Sequence, residues 1–416
     1  MKRLTVYLTG EPVGSLVQDD SGLLEFSYAP GWLARPGAIP LSRSLPLRAE
    51  SFIGKQARPF FAGILPEEEP RRIIAAILGV SERNDFALLE RIGGECAGAV
   101  TLLPEGTRQT AEKEADLRIL SEDDLQRIIG ELPKRPLMAG EEGVRLSLAG
   151  AQDKLPVVLQ GNRVALPLGD TPSTHIIKPE PIRFPGLSSN ECFCMTLAKA
   201  LGLKVSNVER RIIGDKSCLI VQRYDRSVGA DGTVSRIHQE DFCQALGFPP
   251  ERKYQQEGGP LLRDCITLLR EWSTTPVLDI PDFLDGQIFN VLIGNADAHG
   301  KNYSLLYQGD GQRRLAPFYD LVSTLAWPEL SKIPAMKIGK SETLDVFTPS
   351  PWKTLAQEAN LGWPMVKDRI TDLGRRTVET LRCGHMQSMI QADSMSACVA
   401  AQTADRASAI LQGFSA

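Results

Sequence analysis

The chain has 416 residues, of which 42% are hydrophobic and 24% charged, the proportions of an ordinary globular protein with room for two or three domains. Its formal net charge of -4 excludes a broad positive field for nucleic acid, so any DNA contact must be local or supplied by a partner.

The composition also argues against secretion, membrane insertion and a structural zinc site. The N-terminal apolar run is too short for a signal peptide, and no stretch approaches the roughly 20 apolar residues that span a bilayer. The eight cysteines include no CxxC pair, and the four histidines form no cluster with ligand spacing. We therefore expect a reduced, cytoplasmic protein without a metal cage.

The N-terminal region is predicted to be a small α+β domain. Residues 1–30 alternate apolar and polar around turn pairs, as in a β-hairpin or meander, and residues 59–92 carry helical spacing. Residues 105–117 are polar and aperiodic, which indicates a linker. The natural boundary falls near residue 105, with a linker or helical connection over 106–142.

Residues 143–235 are predicted to be rich in strands. Val144–Leu148 and Leu155–Leu159 would flank a tight loop, and Gly161-Asn162 would turn the chain into a third strand. The next segments are a strand at His175–Lys178, a helix that begins at the capping box Ser188–Glu191, and strands at 208–213 and 218–223.

From about residue 239 the pattern is mostly helical, so residues 236–416 are predicted to form a helical lobe. A small β-rich lobe before a larger helical lobe is the order of a bilobal, kinase-like α+β fold. Fold order alone does not determine function.

The strongest functional motif is Gly294–Asn302, which follows a helix with several large apolar residues. Asp297 and Asn302 have the Asp-x-x-x-x-Asn spacing of a kinase catalytic loop, in which Asp accepts the proton of the acceptor hydroxyl and Asn holds a metal ion. His299 and Lys301 lie between them and could touch the γ-phosphate. The alternative is a solvated polar loop, but such a loop need not gather these four residue types.

Two further residues could complete a nucleotide site. Asp320 ends the apolar-aromatic segment Pro317–Asp320, where a kinase has its second metal ligand, although an Asp there could also form a turn. Lys178 ends an apolar strand, as the ATP lysine of kinases does, or it is a solvated edge residue. Glu191 is its candidate ion-pair partner, or simply part of the capping box.

The segment Ser147–Lys154 is neither GxGxxG nor a Walker motif. Its backbone N–H groups could cradle phosphate, but the residues alone suggest little more than a hairpin turn.

Other enzyme classes find less support. Asp297 and Asp320 could form a hydrolase metal pair, but the expected histidine ligands are missing, and no acyl-hydrolase elbow or dinucleotide fingerprint occurs.

At these motifs the chain resembles the HipA family of serine/threonine kinases, the toxins of bacterial type II toxin–antitoxin modules. The resemblance runs nearly from end to end. Its specific segments are Ser147–Lys154, Thr174–Lys178, Asn295–Asn302 and Pro317–Asp320, with weaker matches at Tyr28–Leu33, Leu45–Leu47 and Gly98–Leu102.

The resemblance implies a role for each matching position. Ser147 corresponds to an autophosphorylated serine and Asp297 to the catalytic base, while Asn302 and Asp320 would hold Mg²⁺. The hinge has Gln222 where the best-known member has Glu. The positions that would contact ATP are Ala149, Gly150, Ala151, Gln152, Asp153, Lys154, Lys178, Gln222, Arg223, Tyr224, His299, Gly300, Lys301, Asn302 and Tyr319.

The resemblance also implies partners. These are a HipB-like helix-turn-helix antitoxin, operator DNA held mainly through that antitoxin, and a protein substrate such as glutamyl-tRNA synthetase. The family's DNA-touching segment would fall near Lys337–Lys340, where a solvated charged loop is the simpler interpretation. The alternative function is a nucleotide-binding co-repressor with marginal kinase activity.

Overall fold

The computed structural model describes residues 2–107, 116–161 and 163–415. Contacts within it divide the chain into two compact units. The first unit comprises Met1–Pro179, Arg211–Pro250 and Leu305–Gln312, and the second comprises Glu180–Arg210, Glu251–Ser304 and Arg313–Ala416. Residues 108–115 of the predicted linker, and Asn162 of the predicted hairpin turn, lie outside the described residues.

The first unit opens with an antiparallel sheet, which confirms the predicted meander. Its spatial order is β4-β3-β2-β1-β5. The strands are β1 (Lys2–Leu8), β2 (Glu11–Gln18), β3 (Leu24–Tyr28), β4 (Phe52–Ile53) and β5 (Val100–Pro104). Leu4, Val6 and Leu8 share one face of β1 and are fully buried, as the period-two alternation of a half-buried strand requires.

Four helices lie between β3 and β5, and the last three of them agree with the helical spacing predicted for residues 59–92. They are α1 (Pro30–Leu33), α2 (Arg58–Gly63), α3 (Glu68–Leu78) and α4 (Asp85–Ile92). Asn84 caps α4 by accepting a hydrogen bond from the Ala87 N–H at 2.9 Å. The side chains of Phe60 and Phe61 join the hydrophobic core of the first unit.

A second sheet has the order β10-β11-β9-β7-β8-β6. Its strands are β6 (Leu117–Ile119), β7 (Leu155–Gln160), β8 (Arg163–Pro167), β9 (His175–Pro179), β10 (Val208–Ile213) and β11 (Lys216–Gln222), and helix α5 (Glu122–Glu131) follows β6. Strand β9 pairs with both β7 and β11, with Lys178 opposite Leu219. Lys178 therefore lies on an interior strand and is not an edge residue.

The predicted strand Val144–Leu148, and with it the hairpin around residues 149–154, is wrong. Leu146 and Gly150 form only isolated bridges, to Glu95 and Pro66. The Ser147 N–H donates to the Glu95 carbonyl at 2.9 Å, so this segment pairs with residues far away in the sequence and not with β7.

The rest of the first unit contains short elements: β12 (Arg226–Val228), β13 (Val234–Arg236), β14 (His238–Asp241), α7 (Phe242–Leu246) and most of β15 (Ser304–Tyr307). Asp241 and Gln244 form a capping box at the start of α7. The Gln244 side-chain amide also donates to the Phe60 carbonyl at 2.9 Å, which joins α7 to α2.

The second unit is mostly helical. Besides strand β16 (Arg313–Leu315), it contains the helices α6 (Leu187–Ala200), α8 (Leu262–Trp272), α9 (Pro276–Ile293), α10 (Pro349–Glu358), α11 (Trp363–Leu381), α12 (Gly384–Ala392) and α13 (Ser394–Ser415). Helix α9 packs against α8, α11 and α13, and Phe283, Ile288 and Phe289 are fully buried. No helix among the described residues is both long and apolar enough to cross a membrane.

The capping box predicted at Ser188–Glu191 is also wrong. Helix α6 begins at Leu187 after Gly186, and no side chain caps it. The polar side chains of its first turns make tertiary contacts instead: the Asn190 amide donates to the Ser323 carbonyl at 3.0 Å and accepts from the Ser323 N–H at 2.8 Å. Glu191 lies within α6, and only 3% of its surface is exposed.

Candidate active site

The loop that carries Asp297 is held rigidly at the C-terminal end of α9. Gly294 ends the helix with a φ of 71°, and a Cβ atom there would collide with the Leu325 side chain, so a larger residue at this position would be strained. Asn295 is buried, and its side-chain oxygen accepts from the Asp297 N–H at 3.0 Å. The Ala296 N–H donates to Thr324 Oγ1 at 2.9 Å, which fixes the loop from its other side.

Asp297 presents an exposed carboxylate on this rigid loop. The Tyr254 hydroxyl donates to Asp297 Oδ1 at 2.8 Å. The backbone then turns, because the His299 N–H donates to the Asp297 carbonyl at 2.8 Å and the Asn302 N–H to the His299 carbonyl at 2.9 Å. An accessible carboxylate with a fixed backbone is suited to accept a proton from a hydroxyl on another macromolecule.

Asn302 ends a 3₁₀ turn over Gly300–Asn302. Its Oδ1 atom is buried, yet it accepts no hydrogen bond from any described residue. A buried carbonyl oxygen without a partner is costly and calls for an explanation, of which an absent ion is one. Amide and carboxylate oxygens are the ligands that Mg²⁺ takes in proteins, so Asn302 fits a metal ligand.

The segment that carries Asp320 is anchored to the helical core. Phe318 pairs with residues 204–206 through backbone hydrogen bonds of 2.8 and 3.0 Å, and its ring lies so close to Gly286 of α9 that a Cβ atom there would collide with it. Asp320 itself has a φ of 53°, in the left-handed region that non-glycine residues seldom adopt. Such backbone strain clusters at functional sites.

Tyr319 connects the Asp320 segment to the loop that carries Asp297. Its hydroxyl donates to the Lys301 carbonyl at 2.8 Å and lies 2.8 Å from Ser304 Oγ. Lys301 is 7% exposed. The second unit therefore joins the segments of Asp297, His299–Asn302 and Tyr319–Asp320, which lie apart in the sequence.

In the first unit, residues 149–154 form a loop that closes on itself. Lys154 Nζ donates to the Ala149 carbonyl, and Gly150 has a φ of 106°, which only glycine adopts without strain. The Gly150 carbonyl accepts from the Glu67 N–H at 3.2 Å, and the Gln152 amide lies 3.5 Å from the Pro179 carbonyl at the end of β9. Burial raises the pKa of the Asp153 carboxyl.

Ser147 lies just before this loop and has no exposed surface. Its hydroxyl donates to the Ile64 carbonyl at 3.1 Å, and its N–H to the Glu95 carbonyl at 2.9 Å.

The segment Gln222–Tyr224, which the resemblance predicts to be the hinge, begins at the last residue of β11, and Arg223 is buried among polar partners. Its guanidinium donates to Glu95 Oε1 at 2.9 Å, to the Cys96 carbonyl at 3.0 Å and to Asp225 at 2.7 Å. The Arg223 side chain is thus engaged in the interior, whereas Gln222 is exposed. An adenine contact from Arg223 would have to use its backbone.

Glu95 is the centre of this buried network, which sequence analysis missed. Its carboxylate also accepts from Arg226 at 2.7 Å and from Arg236 at 2.6 Å. Burial alone would raise the pKa of Glu95, but the Arg226, Arg236 and Arg223 guanidiniums outweigh it and lower the pKa to about 2. A lone glutamate after Gly93-Gly94 gives no pattern that would have revealed this role.

Comparison with known proteins places these features in a family. The chain superposes on the HipA chain of the Shewanella oneidensis complex of HipA, HipB and operator DNA with a TM-score of 0.86, at 28% identity and over 99% of this chain and 98% of that one. The α+β, kinase-like fold predicted from the sequence is therefore confirmed.

Sequence comparison agrees. The model of the HipA N-terminal domain matches residues 4–103, and that of the HipA-like C-terminal domain matches residues 146–381. The chain is 50% identical to Y4mE of Sinorhizobium fredii, over 91% of this chain and 90% of that protein. It is 33% identical to the serine/threonine-protein kinase toxin HipA of Shewanella oneidensis, over 85% of this chain and 82% of that protein. The chain belongs to the HipA family of kinases.

Proposed function

We propose that this protein is the toxin of a type II toxin–antitoxin module and transfers the γ-phosphate of ATP to a serine or threonine hydroxyl of a protein. The observation that supports this most strongly lies in the second unit. An exposed carboxylate, Asp297, shares a rigid loop with the buried, unpartnered Oδ1 of Asn302, and Tyr319 ties that loop to the segment of Asp320.

Each part has a role in this proposal. Asp297 orients the acceptor hydroxyl and takes its proton. Asn302 and Asp320 would hold Mg²⁺, which neutralises phosphate charge when bound. The residues proposed to contact ATP are the loop 149–154, Lys178, the hinge 222–224, His299–Asn302 and Tyr319. Glu191 is proposed as the ion-pair partner of Lys178. The alternative that Glu191 belongs to a capping box no longer applies, because no side chain caps α6.

We further propose that the kinase phosphorylates itself at Ser147. A phosphate adds nearly two negative charges at neutral pH, and the space occupied by the Ser147 hydroxyl is fully enclosed. Phosphoserine would therefore have to leave this position and displace residues 148–154, so that phosphorylation would switch off ATP binding. Modification also requires that the unmodified enzyme opens transiently.

The proposed partners are a HipB-like antitoxin, operator DNA mainly through that antitoxin, and an aminoacyl-tRNA synthetase or another translation factor as substrate in the cytoplasm. The solved Shewanella complex of HipA, HipB and operator DNA supports the first two. Direct DNA contact finds less support, since the net charge is -4 and Lys337 is paired with Glu342 at 2.5 Å.

The test is ATP turnover and phosphate transfer by the purified protein with Mg²⁺. Transfer that requires Mg²⁺ supports the kinase. A protein that binds ATP and an operator-bound antitoxin but transfers no phosphate would be the alternative, a co-repressor.

A further inference from the structure

The carboxylate of Asp297 has one side-chain partner among the described residues. The Tyr254 hydroxyl donates to its Oδ1 at 2.8 Å, and no other described side chain donates to either carboxylate oxygen. The residue is exposed, so Oδ2 remains open to an incoming acceptor. An exposed aspartate would otherwise sample several χ orientations, and a hydrogen bond to a charged acceptor selects one of them.

The segment that carries Tyr254 is held against the catalytic loop by hydrogen bonds of its neighbour Gln255 and of Ala335. The Gln255 N–H donates to the Ala335 carbonyl at 2.9 Å, and the Ala335 N–H donates to the carbonyl of Ala296, next to Asp297, at 2.7 Å. The Lys337 N–H donates to the side-chain oxygen of Gln255 at 2.7 Å. The segments 254–255 and 335–337 therefore form one connected frame with the loop.

Side chains around the ring restrict it further. The His299 ring meets the Tyr254 ring edge to face, with centroids 5.3 Å apart and an interplanar angle of 77°. The ammonium group of the buried Lys253 lies 5.4 Å from the Tyr254 centroid, within range of a cation–π interaction. A hydroxyl on a ring restricted in this way is a fixed donor, whereas a hydroxyl on a mobile surface side chain is not.

From this geometry we infer that Tyr254 is the positioning residue for the base Asp297, an inference that rests on the proposed function. Its hydroxyl holds Oδ1 so that Oδ2 faces the hydroxyl to be phosphorylated. Misplacement of a reacting group by about 1 Å can cost roughly 100-fold in rate. Tyr254 therefore acts on the chemical step through Asp297, and its hydroxyl is not among the groups proposed to contact ATP.

The opposite role, in which Tyr254 obstructs the base, predicts a change in the transfer rate in the opposite direction. A phenol hydrogen-bonded to the base could instead occupy the place of the acceptor hydroxyl and obstruct it. Removing the phenolic oxygen would then speed transfer, whereas removing a positioning group slows it.

The experiment measures single-turnover transfer of labelled γ-phosphate from Mg²⁺–ATP, as phosphate incorporated into the full-length chain plus free phosphate released. Tyr254→Phe should lower the transfer rate by about 10–100-fold, with the ATP dissociation constant and thermal midpoint close to wild type. Tyr7→Phe is the matched control, because it removes a hydroxyl that donates to the Thr107 carbonyl at 3.2 Å and should leave the rate unchanged.

A double-mutant cycle with Asp297→Asn separates positioning from general structural damage. If Tyr254 acts only through the base, adding Tyr254→Phe to Asp297→Asn should change the residual rate by less than about twofold. Additive losses, an unchanged rate or a faster rate in Tyr254→Phe each overturn the inference while leaving the kinase intact. If the wild type transfers no phosphate at all, it is the proposed function that fails.

Discussion

Glu95 and Arg223 form an ion pair in the interior of the first unit, with Glu95 Oε1 accepting from Arg223 Nη1 at 2.9 Å. The side chains of both are almost completely buried, with 1% and 2% of their surface exposed. Glu95 lies in the segment matched by the N-terminal domain model, and Arg223 in the segment matched by the C-terminal one. The N-terminal domain therefore helps fix the hinge that we propose to meet adenine.

Replacing Glu95 should be costly. Among the residues that the structure describes, Glu95→Gln leaves the Arg223, Arg226 and Arg236 guanidiniums with the carboxylate of Asp225 as their one remaining acidic partner. Breaking a buried ion pair by removing one partner costs about 3–5 kcal/mol, which denaturant unfolding would detect. The control is Glu105→Gln, whose pair with Arg3 is exposed and 3.8 Å long, and which should cost less than about 1 kcal/mol. Equal losses of unfolding free energy in the two variants would show that the buried ion pairs of Glu95 stabilise the protein no more than an exposed pair does.

Glu240 should make stability fall as pH rises. Its buried carboxyl accepts from Ser42 Oγ at 2.5 Å, from the Arg43 N–H at 3.0 Å and from the Tyr307 hydroxyl. Burial raises its pKa from 4.5 to about 7, so between these values the folded state holds a proton that the unfolded state has lost. The folded state consequently loses on the order of 3 kcal/mol of stability between pH 4.5 and 7, and no more above that range.

Glu240→Gln isolates this effect because glutamine does not titrate. The wild-type free energy of unfolding, relative to that of the variant, should decline across that pH range. The neighbouring His238 has its pKa lowered by burial to about 4, which makes stability decline toward acid in both proteins, so its contribution cancels in the difference. A difference that stays constant with pH would show that Glu240 does not titrate in this window.

Local pattern predicted most of the fold and the chemistry-bearing loop, because alternation, helical spacing and the Asp297–Asn302 spacing are properties of adjacent residues. It failed where contacts with residues far away in the sequence determine the local structure. The alternating segment Val144–Leu148 pairs with Glu95, and the polar residues at the start of α6 bond to Ser323 and Asp393. Tyr254 and Glu95 could not be found, since each is a single residue whose partner lies 43 or more positions away.

Ser147 gives a test of the proposed self-inactivation. Ser147→Ala removes one hydrogen bond to the Ile64 carbonyl and should cost about 1 kcal/mol, with ATP affinity retained. Ser147→Asp places a carboxylate in a fully enclosed position, so the loop 149–154 should be displaced and ATP affinity lost in calorimetry. Ser388→Asp, at an exposed serine of α12, is the control and should bind ATP normally. Wild-type ATP affinity in Ser147→Asp would contradict the mechanism.

The claim that Asp297 is the base of an ATP-dependent phosphotransferase is tested most directly by one comparison, the single-turnover rate of γ-phosphate transfer in wild type and Asp297→Asn at saturating Mg²⁺–ATP. The substitution keeps the size of the side chain and removes its ability to accept the proton. We predict a rate lower by about 10²–10⁴-fold, with the ATP dissociation constant little changed. Equal transfer rates in the two proteins would contradict the account.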